Sequence, residues 1–378
     1  MRIAVYPADE GACGMLRIQW PAEHLAAQGV DVQVNPTMYA EYTERFDGTQ
    51  PPSWVDVLDV TIDADIAVFQ RPLHRQYIQV IPILRSKGVH VVVELDDNFD
   101  VIDPANKAWH AAEPGWLHTA ERAELAERHG PFRTTHVGPD GWAFSPDHEG
   151  RSHRNNLRTA ITLADTLVVS TPALAAHYGP HAARTVVVPN RIPRRYCTFG
   201  RLHVENRPLT AGWTGSTDSH PRDLQVMNGV LARYAGRSRF HVVGTAAGVE
   251  AATGRRPNSG TGWVPLVEYP RAYAALDVAV CPLRPGLFND AKSSLKMLEA
   301  AAVGAIPVCS PAPEYVGLHG EGVGLIAGRP KEWVEHLDRL HADPRWRAEL
   351  RARGLVVAEE HTIEEHAGEW LHAWTLGT

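Results

Sequence analysis

Apolar residues fall in short β-branched runs separated by stretches of helical periodicity along nearly the whole 378-residue chain. That alternation predicts α/β architecture with parallel sheets. In the first half, strands are expected at Ile3–Tyr6, Val30–Val34, Ile66–Phe69, Val89–Leu95, Thr166–Ser170 and Thr185–Val188. Several of these are continuous apolar runs, the pattern of strands covered on both faces. A second series is expected at Leu209–Trp213, Phe240–Gly244, Val278–Pro282, Ala305–Cys309 and Val323–Ala327. No sequence repeat is visible, yet the order of elements looks duplicated: two doubly wound sheets, one after the other. Such sheets bind ligands beyond the carboxyl ends of their strands. Two of them facing each other would put both sets of strand-end loops on one cleft.

Two segments break the rhythm. Residues 100–150 are rich in His, Trp, Gly and Pro, with Trp109, Trp116 and Trp142 among them. They read as an insertion of short helices and loops, either shaping an acceptor site or forming a packed surface excursion. Residues 189–208 lose periodicity and hold three prolines, which makes them the expected linker. The tail from Pro330 is helical. Trp333, Leu337 and Leu340 mark one amphipathic stretch, and Ala367, Trp370, Leu371 and Trp374 mark another.

Composition narrows the class. A hydrophobic content of 44%, with 21% charged residues, is that of a soluble globular protein. The formal charge of −7 carries no basic footprint for nucleic acid. Cys13, Cys197, Cys281 and Cys309 are far apart, with no CxxC pair, and indicate neither a disulfide framework nor a metal site. No stretch approaches the roughly 20 apolar residues of a membrane span. The N-terminus runs straight from an apolar strand into a polar loop, so the expected location is the cytoplasm.

The densest chemistry lies in Phe288–Ser310, FNDAKSSLKMLEAAAVGAIPVCS. On a helix beginning near Ala291, Lys292, Lys296 and Glu299 would share one face, with Asn289 and Asp290 at the cap. Leu295, Leu298 and Ala302 would pack on the sheet. Helix N–H groups favour an anion, lysines one and two turns in would neutralise phosphate, and the carboxylate could accept from ribose hydroxyls. Pairing of Lys296 with Glu299 on an exposed helix face is the alternative. A second segment, LTAGWTGSTDSHPRD from Leu209, places Gly215 and Ser216 in a strand-to-helix turn where backbone can approach phosphates. In the first half, Asp96 and Asp97 follow a buried strand directly. Adjacent carboxylates are costly to bury there unless hydrogen-bonded or used, so they are candidate catalytic groups, with a structural role as the alternative.

Phe288–Ser310 resembles the donor-binding motif of the retaining GT-B glycosyltransferases, the relatives of sucrose synthase and bacterial mannosyl- and glucosyltransferases. That motif has a Glu, seven residues, a second Glu, then a Gly and an aliphatic–Pro–Val strand. Glu299 matches the second Glu, which binds the donor ribose in the family, and Gly304, Pro307, Val308 and Ser310 match the trailing strand. The first Glu falls at Ala291, a departure that leaves the sugar contact to Asp290 or the backbone of Asn289–Lys292. Leu209–Asp223 resembles the start of the family's C-terminal domain. The usual basic residue of its next helix is missing, with Arg222 or Arg284 as the stand-in. In Trp263–Pro282 the resemblance puts Trp263 and Val264 near the nucleobase, with core packing the alternative for the Trp263 ring. The Gly-containing loop from Asp9 implies a catalytic Arg17 and flexible Gly11 and Gly14, Gly14 by the donor. Asn190 matches a Pro-Asn before the hinge. Trp370 and Trp374 resemble the last helix, which crosses back onto the N-terminal domain.

The resemblance implies a GT-B fold of two Rossmann-like domains. They comprise an acceptor-side domain at 1–190, a linker at 191–208, a nucleotide-sugar domain at 209–360 and the crossing helix at 361–378. The implied reaction moves a sugar from a nucleoside diphosphate to an acceptor hydroxyl with retention, without metal or cofactor. The acceptor stays open between glycan, lipid, protein and modified DNA base. Two rival readings are a sugar-nucleotide epimerase of the same fold and a non-catalytic nucleotide-binding module.

Overall fold

The computed structural model describes residues 1–34, 38–43, 55–106, 108–131, 133–138, 141–148, 152–206 and 208–377. The chain forms two compact units, Met1–Val188 with Ala367–Thr378, and Pro189–His366. In the first unit the strands are β1 (Ile3–Tyr6), β2 (Val32–Val34), β3 (Tyr39–Tyr42), β4 (Val57–Thr61), β5 (Ile66–Gln70), β6 (His90–Leu95), β7 (Trp116–His118), β8 (His136–Val137), β9 (Trp142–Phe144), β10 (Thr166–Val169) and β11 (Thr185–Val187). Six of them form an all-parallel sheet in the order β11-β10-β6-β5-β1-β2. Its core joins Ile3, Val5, Ile18, Val68, Val92 and Val168 to Trp370 and Trp374 of the helix Ile363–Thr375. The apolar stripe of the tail is thus buried in the first unit.

The second unit contains β12 (Thr210–Gly215), β13 (Arg239–Gly244), β14 (Ser259–Thr261), β15 (Val278–Cys281), β16 (Ile306–Cys309) and β17 (Leu325–Ile326). They form a parallel sheet in the order β14-β13-β12-β15-β16-β17, the doubly wound order of a Rossmann fold. Trp213, Phe240, Trp333, Leu337 and Leu340 lie in its core. The eleven strands expected from apolar runs all form, with ends displaced by no more than two residues.

Four parts of the architecture differ from expectation. The 100–150 segment, of which 107, 132, 139, 140, 149 and 150 lie outside the described residues, contains an antiparallel sheet β7-β9-β8 as well as helices. The hairpin β3–β4 and the edge strand β14 were not anticipated either, since none is a continuous apolar run. Residues 189–208 are not a bare linker. They carry the helix Arg195–Arg201, and their Glu205 makes a bidentate pair with the buried Arg347 at 2.8 and 2.6 Å. A Cβ on Gly200 would lie 2.3 Å from the backbone oxygen of Ala302, so this helix is seated directly on its neighbour. Gly200→Ala is therefore expected to destabilise the second unit by about 1–3 kcal/mol through overpacking. Denaturant unfolding followed by hydrogen exchange at Leu295–Ala302 checks this, and unchanged exchange would refute the close seating.

Candidate functional site

A doubly wound sheet opens a crevice where strand order reverses, between the first strand and the one that continues on its other side. In the second unit that point lies between β12 and β15, and the two loops leaving these strands hold most of the expected donor residues. β12 ends at Gly215, whose φ of +142° suits glycine. A Cβ there would also lie 3.1 Å from Lys296 Nζ. Lys296 itself donates to the Thr214 carbonyl at 3.1 Å and sits 5.6 Å from the Trp213 ring centre. Burial lowers the pKa of its ammonium.

The expected helix start at Ala291 is corrected. A short helix, Leu287–Asp290, ends there, residues 291–294 form a turn, and the next helix is Leu295–Ala302. The Ser294 carbonyl receives the first helical bonds, from the N–H of Met297 at 2.9 Å and of Leu298 at 3.1 Å. Lys296 and Glu299 thus share a helix at i, i+3. Lys292 precedes it in the turn, with its ammonium 4.5 Å from the Phe288 ring centre. Asn190, expected before the hinge, donates to Ser293 Oγ at 2.7 Å and braces this turn. Glu299 is not a surface pairing residue: it is 4% exposed, and the Tyr269 hydroxyl donates to its Oε2 at 3.2 Å. Burial pushes the Glu299 carboxyl up to about 7.

Asp223 ties the two strand-end loops together. Its Oδ1 accepts from the Arg284 backbone N–H at 3.0 Å and from Asn289 Nδ2 at 2.7 Å, while Oδ2 lies 2.9 Å from His220 Nδ1. Burial opposes the charge, but these hydrogen bonds hold the carboxyl below its usual range. Asn289 therefore braces the loop with its amide, and Arg284 does so with its backbone while its side chain is exposed. Ala291 is buried, Asp290 is half-buried, and Ser216 caps its own turn by accepting from the Asp218 N–H at 3.1 Å. Trp263 is 75% exposed and Val264 half-buried, so the Trp263 ring is not core. His220, Asp223 and Tyr269 were missed in the sequence. The signal for the first two was present as His and Asp spaced i, i+3 directly after the Gly215–Ser216 turn.

The first unit has its own strand-end cluster at β1, β5 and β6. Arg71, just beyond β5, holds a left-handed φ of +47°. It pairs with Asp9 and lies 4.0 Å from Asp96 Oδ1. Strained residues of this kind persist where surrounding contacts fix them, and they concentrate at functional sites. Asp96 is 8% exposed and Asp97 half-buried, so the strand-end placement holds. Two expectations do not. Arg17 is 1% exposed, donates from Nε to Glu94 Oε1 at 2.6 Å and from Nη1 to the Val188 carbonyl at 2.6 Å, and lies 5.3 Å from the Trp370 ring centre. It is a structural clamp inside the first unit. The N–H groups of Gly11 and Gly14 donate to Asp9 Oδ1 at 2.8 and 3.2 Å, so Gly14 offers no free donor to a ligand. A Cβ on Gly14 would lie 1.7 Å from the Asp9 backbone oxygen, so close backbone approach requires glycine there.

Among the described residues, no three His, Cys, Asp or Glu side chains are grouped to hold a metal ion, and no helix is long and apolar enough to cross a membrane.

Residues 225–372 match a family model described as glycosyl transferase-like. No curated protein sequence matches the chain. Among solved structures, Anabaena HepE in complex with UDP and glucose is similar over 98% of this chain and 99% of its own, at 12% identity and a TM-score of 0.58. Sucrose-phosphate synthase from Thermosynechococcus elongatus is similar over 98% of both chains, at 14% identity and a TM-score of 0.57. An α,α-trehalose-phosphate synthase from Burkholderia xenovorans, in complex with glucose-6-phosphate, is similar over 83% of this chain and 74% of its own, at 13% identity and a TM-score of 0.51. At such identities the likeness is one of fold. The two Rossmann-like units and these neighbours define a GT-B fold, and the stretch similar to the glycosyl transferase-like model lies mostly in the second unit.

Proposed function

We propose that the protein is a retaining glycosyltransferase that moves a hexosyl or related sugar from a nucleoside diphosphate to an acceptor hydroxyl without a metal ion. The observation that carries this reading is Lys296 set against Gly215 at the strand-order reversal of the second unit, with Glu299 three residues further along the same helix. The donor diphosphate would lie along Gly215–Ser216 and the start of the Leu295–Ala302 helix, where backbone N–H groups favour anions. Lys292 and Lys296 would meet its charge, Glu299 would accept from the ribose, and Trp263 and Val264 would flank the base. UDP is the first nucleotide to test, because HepE is seen in complex with it.

In this reading the bond from the anomeric carbon to the diphosphate oxygen breaks, and the electron pair leaves with the diphosphate. The acceptor oxygen attacks from the same face, and its proton passes to the departing phosphate. Fixed positive charge where negative charge develops is the main catalytic contribution. No side chain serves as nucleophile. Asp96 and Asp97 in the first unit are the acceptor-side groups. The four unpaired thiols fit a reducing compartment such as the cytoplasm.

A thermal-shift panel of UDP-, GDP-, ADP- and TDP-glucose, followed by transfer assays in EDTA, tests this. One donor is expected to raise the melting temperature, transfer to persist without free metal, and Lys296→Met to weaken donor binding about tenfold or more. Activity lost in EDTA and restored by Mg²⁺ or Mn²⁺ would overturn metal independence, and an inverted product by NMR would overturn retention. Absence of any nucleotide binding would overturn the whole reading.

A further inference from the structure

The donor-site reading above leaves one group unused, and the present inference rests on that reading. The turn leaving β12, Ser216–His220, holds no lysine or arginine, and the Arg222 side chain is exposed. What the turn holds instead is His220. Its backbone N–H donates to the Ser216 carbonyl at 3.0 Å, which closes the turn that follows Gly215. Its Nδ1 lies 2.9 Å from Asp223 Oδ2, and the imidazole is 15% exposed. A carboxylate only accepts, so Nδ1 carries the hydrogen and Nε2 is left as the proton-accepting nitrogen. Asp223 cannot swing away, because the Arg284 N–H and Asn289 Nδ2 hold its other oxygen.

We infer that His220 and Asp223 form a proton-coupled clamp for the donor diphosphate: Nε2 takes a proton from solvent as the diphosphate arrives and binds it as imidazolium, while Asp223 holds the opposite ring nitrogen. The charged groups facing His220 are Asp223 on its own segment, Lys296 on the Leu295–Ala302 helix and Lys292 in the preceding turn. With the site empty, burial and the two lysines push the imidazole down to about 4, so it is neutral at neutral pH and its contact with Asp223 is an ordinary hydrogen bond. A diphosphate meeting Lys292 and Lys296 replaces that repulsion with attraction, and the same ring then favours the charged form. Proton uptake involves no other bond change. As the sugar departs, negative charge develops on the diphosphate until the acceptor proton reaches it, and the imidazolium stabilises that charge.

The test is calorimetry of donor binding at about pH 6 in two buffers of different ionisation enthalpy, which counts protons exchanged. UDP-glucose is the first probe because its diphosphate is a diester and does not titrate in the neutral range; GDP-, ADP- and TDP-glucose follow. The parent is expected to take up about half a proton or more beyond the His220→Asn variant, which should bind about tenfold more weakly. Asp223→Asn should reduce the uptake as well. A purely structural His220 would lose affinity with an unchanged proton count, and that result overturns the clamp. If neither variant folds, imidazole nitrogen NMR of the parent decides it, with Nε2 protonating on UDP-glucose addition or failing to. Equal proton counts with tight binding defeat the clamp alone, whereas no binding of any sugar nucleotide by the parent defeats the donor-site reading itself.

Discussion

Arg17→Met is expected to destabilise the first unit by about 3–5 kcal/mol, the cost of leaving a buried carboxylate without its cation. The substitution keeps an apolar stem of similar length, so it removes charge and hydrogen bonds while limiting the cavity. What it strands is Glu94, which is fully buried on β6 beside Arg17 Nε at 2.6 Å. It also frees the Val188 carbonyl, 2.6 Å from Arg17 Nη1, and removes the cation over Trp370. The loss carries a pH signature. Burial pushes the Glu94 carboxyl up from 4.5 to about 7 even with Arg17 present. A raised carboxyl binds its proton in the native state over a range where the unfolded chain has released it. Its contribution to stability is therefore complete below pH 4.5 and falls as pH rises to about 7. Without Arg17 the native carboxyl rises further, so the falling limb extends above neutrality. The deficit of Arg17→Met should be larger at about pH 8 than at about pH 5.5. Hydrogen exchange at the β6 amides Val91–Leu95 reports it within the first unit. A deficit under about 1 kcal/mol at both pH values would mean that the Arg17–Glu94 pair does not hold the first unit together.

The mistaken reading of Arg17 shows what local sequence conceals. A basic residue in a Gly-containing loop beyond the first strand has the sequence appearance of a ligand contact, yet its partner lies 77 residues away. The parallel strands were legible because burial on both faces forces continuous apolar runs, as in Ile66–Phe69 and Val278–Cys281. Strands without that constraint were not. β14 is Ser-Gly-Thr at a sheet edge, and β7–β9 form a small antiparallel sheet with exposed β8. The helix carrying Lys296 and Glu299 was legible in its face but not in its start. Lys292 continues the charge spacing, but the Asp290 N–H bonds back to Gly286 at 2.8 Å and closes the preceding turn. Burial inverted one further expectation. Glu299 and Lys296 read equally well as a surface pair, but in the fold Glu299 is enclosed beside Tyr269, a contact across 30 residues.

Glu299→Gln is expected to weaken donor binding by about 1.5–3 kcal/mol at about pH 8, the range for hydrogen bonds to a charged group. That is roughly tenfold or more in Kd. The substitution is close to isosteric and leaves an oxygen for the Tyr269 hydroxyl, so the fold should survive it. Removing a buried charge should even stabilise the empty protein slightly above neutrality, since the Glu299 carboxyl is pushed up to about 7 by burial. That value gives the deficit its own pH dependence. Ribose hydroxyls donating to the carboxylate favour the ionised form, so donor binding below pH 7 must first release a proton from Glu299. The parent loses that advantage as pH falls, and the gap between parent and Glu299→Gln should narrow at about pH 6. Because His220 is expected to shift affinity in the opposite direction with pH, the informative quantity is the parent-to-variant ratio at each pH. Calorimetric Kd values for UDP-glucose at the two pH values, with melting temperatures alongside, provide it. Equal affinities at about pH 8, with the fold intact, would mean that Glu299 braces Tyr269 without touching the ribose. A ratio that stays constant with pH would keep the contact but deny that the ionised carboxylate makes it.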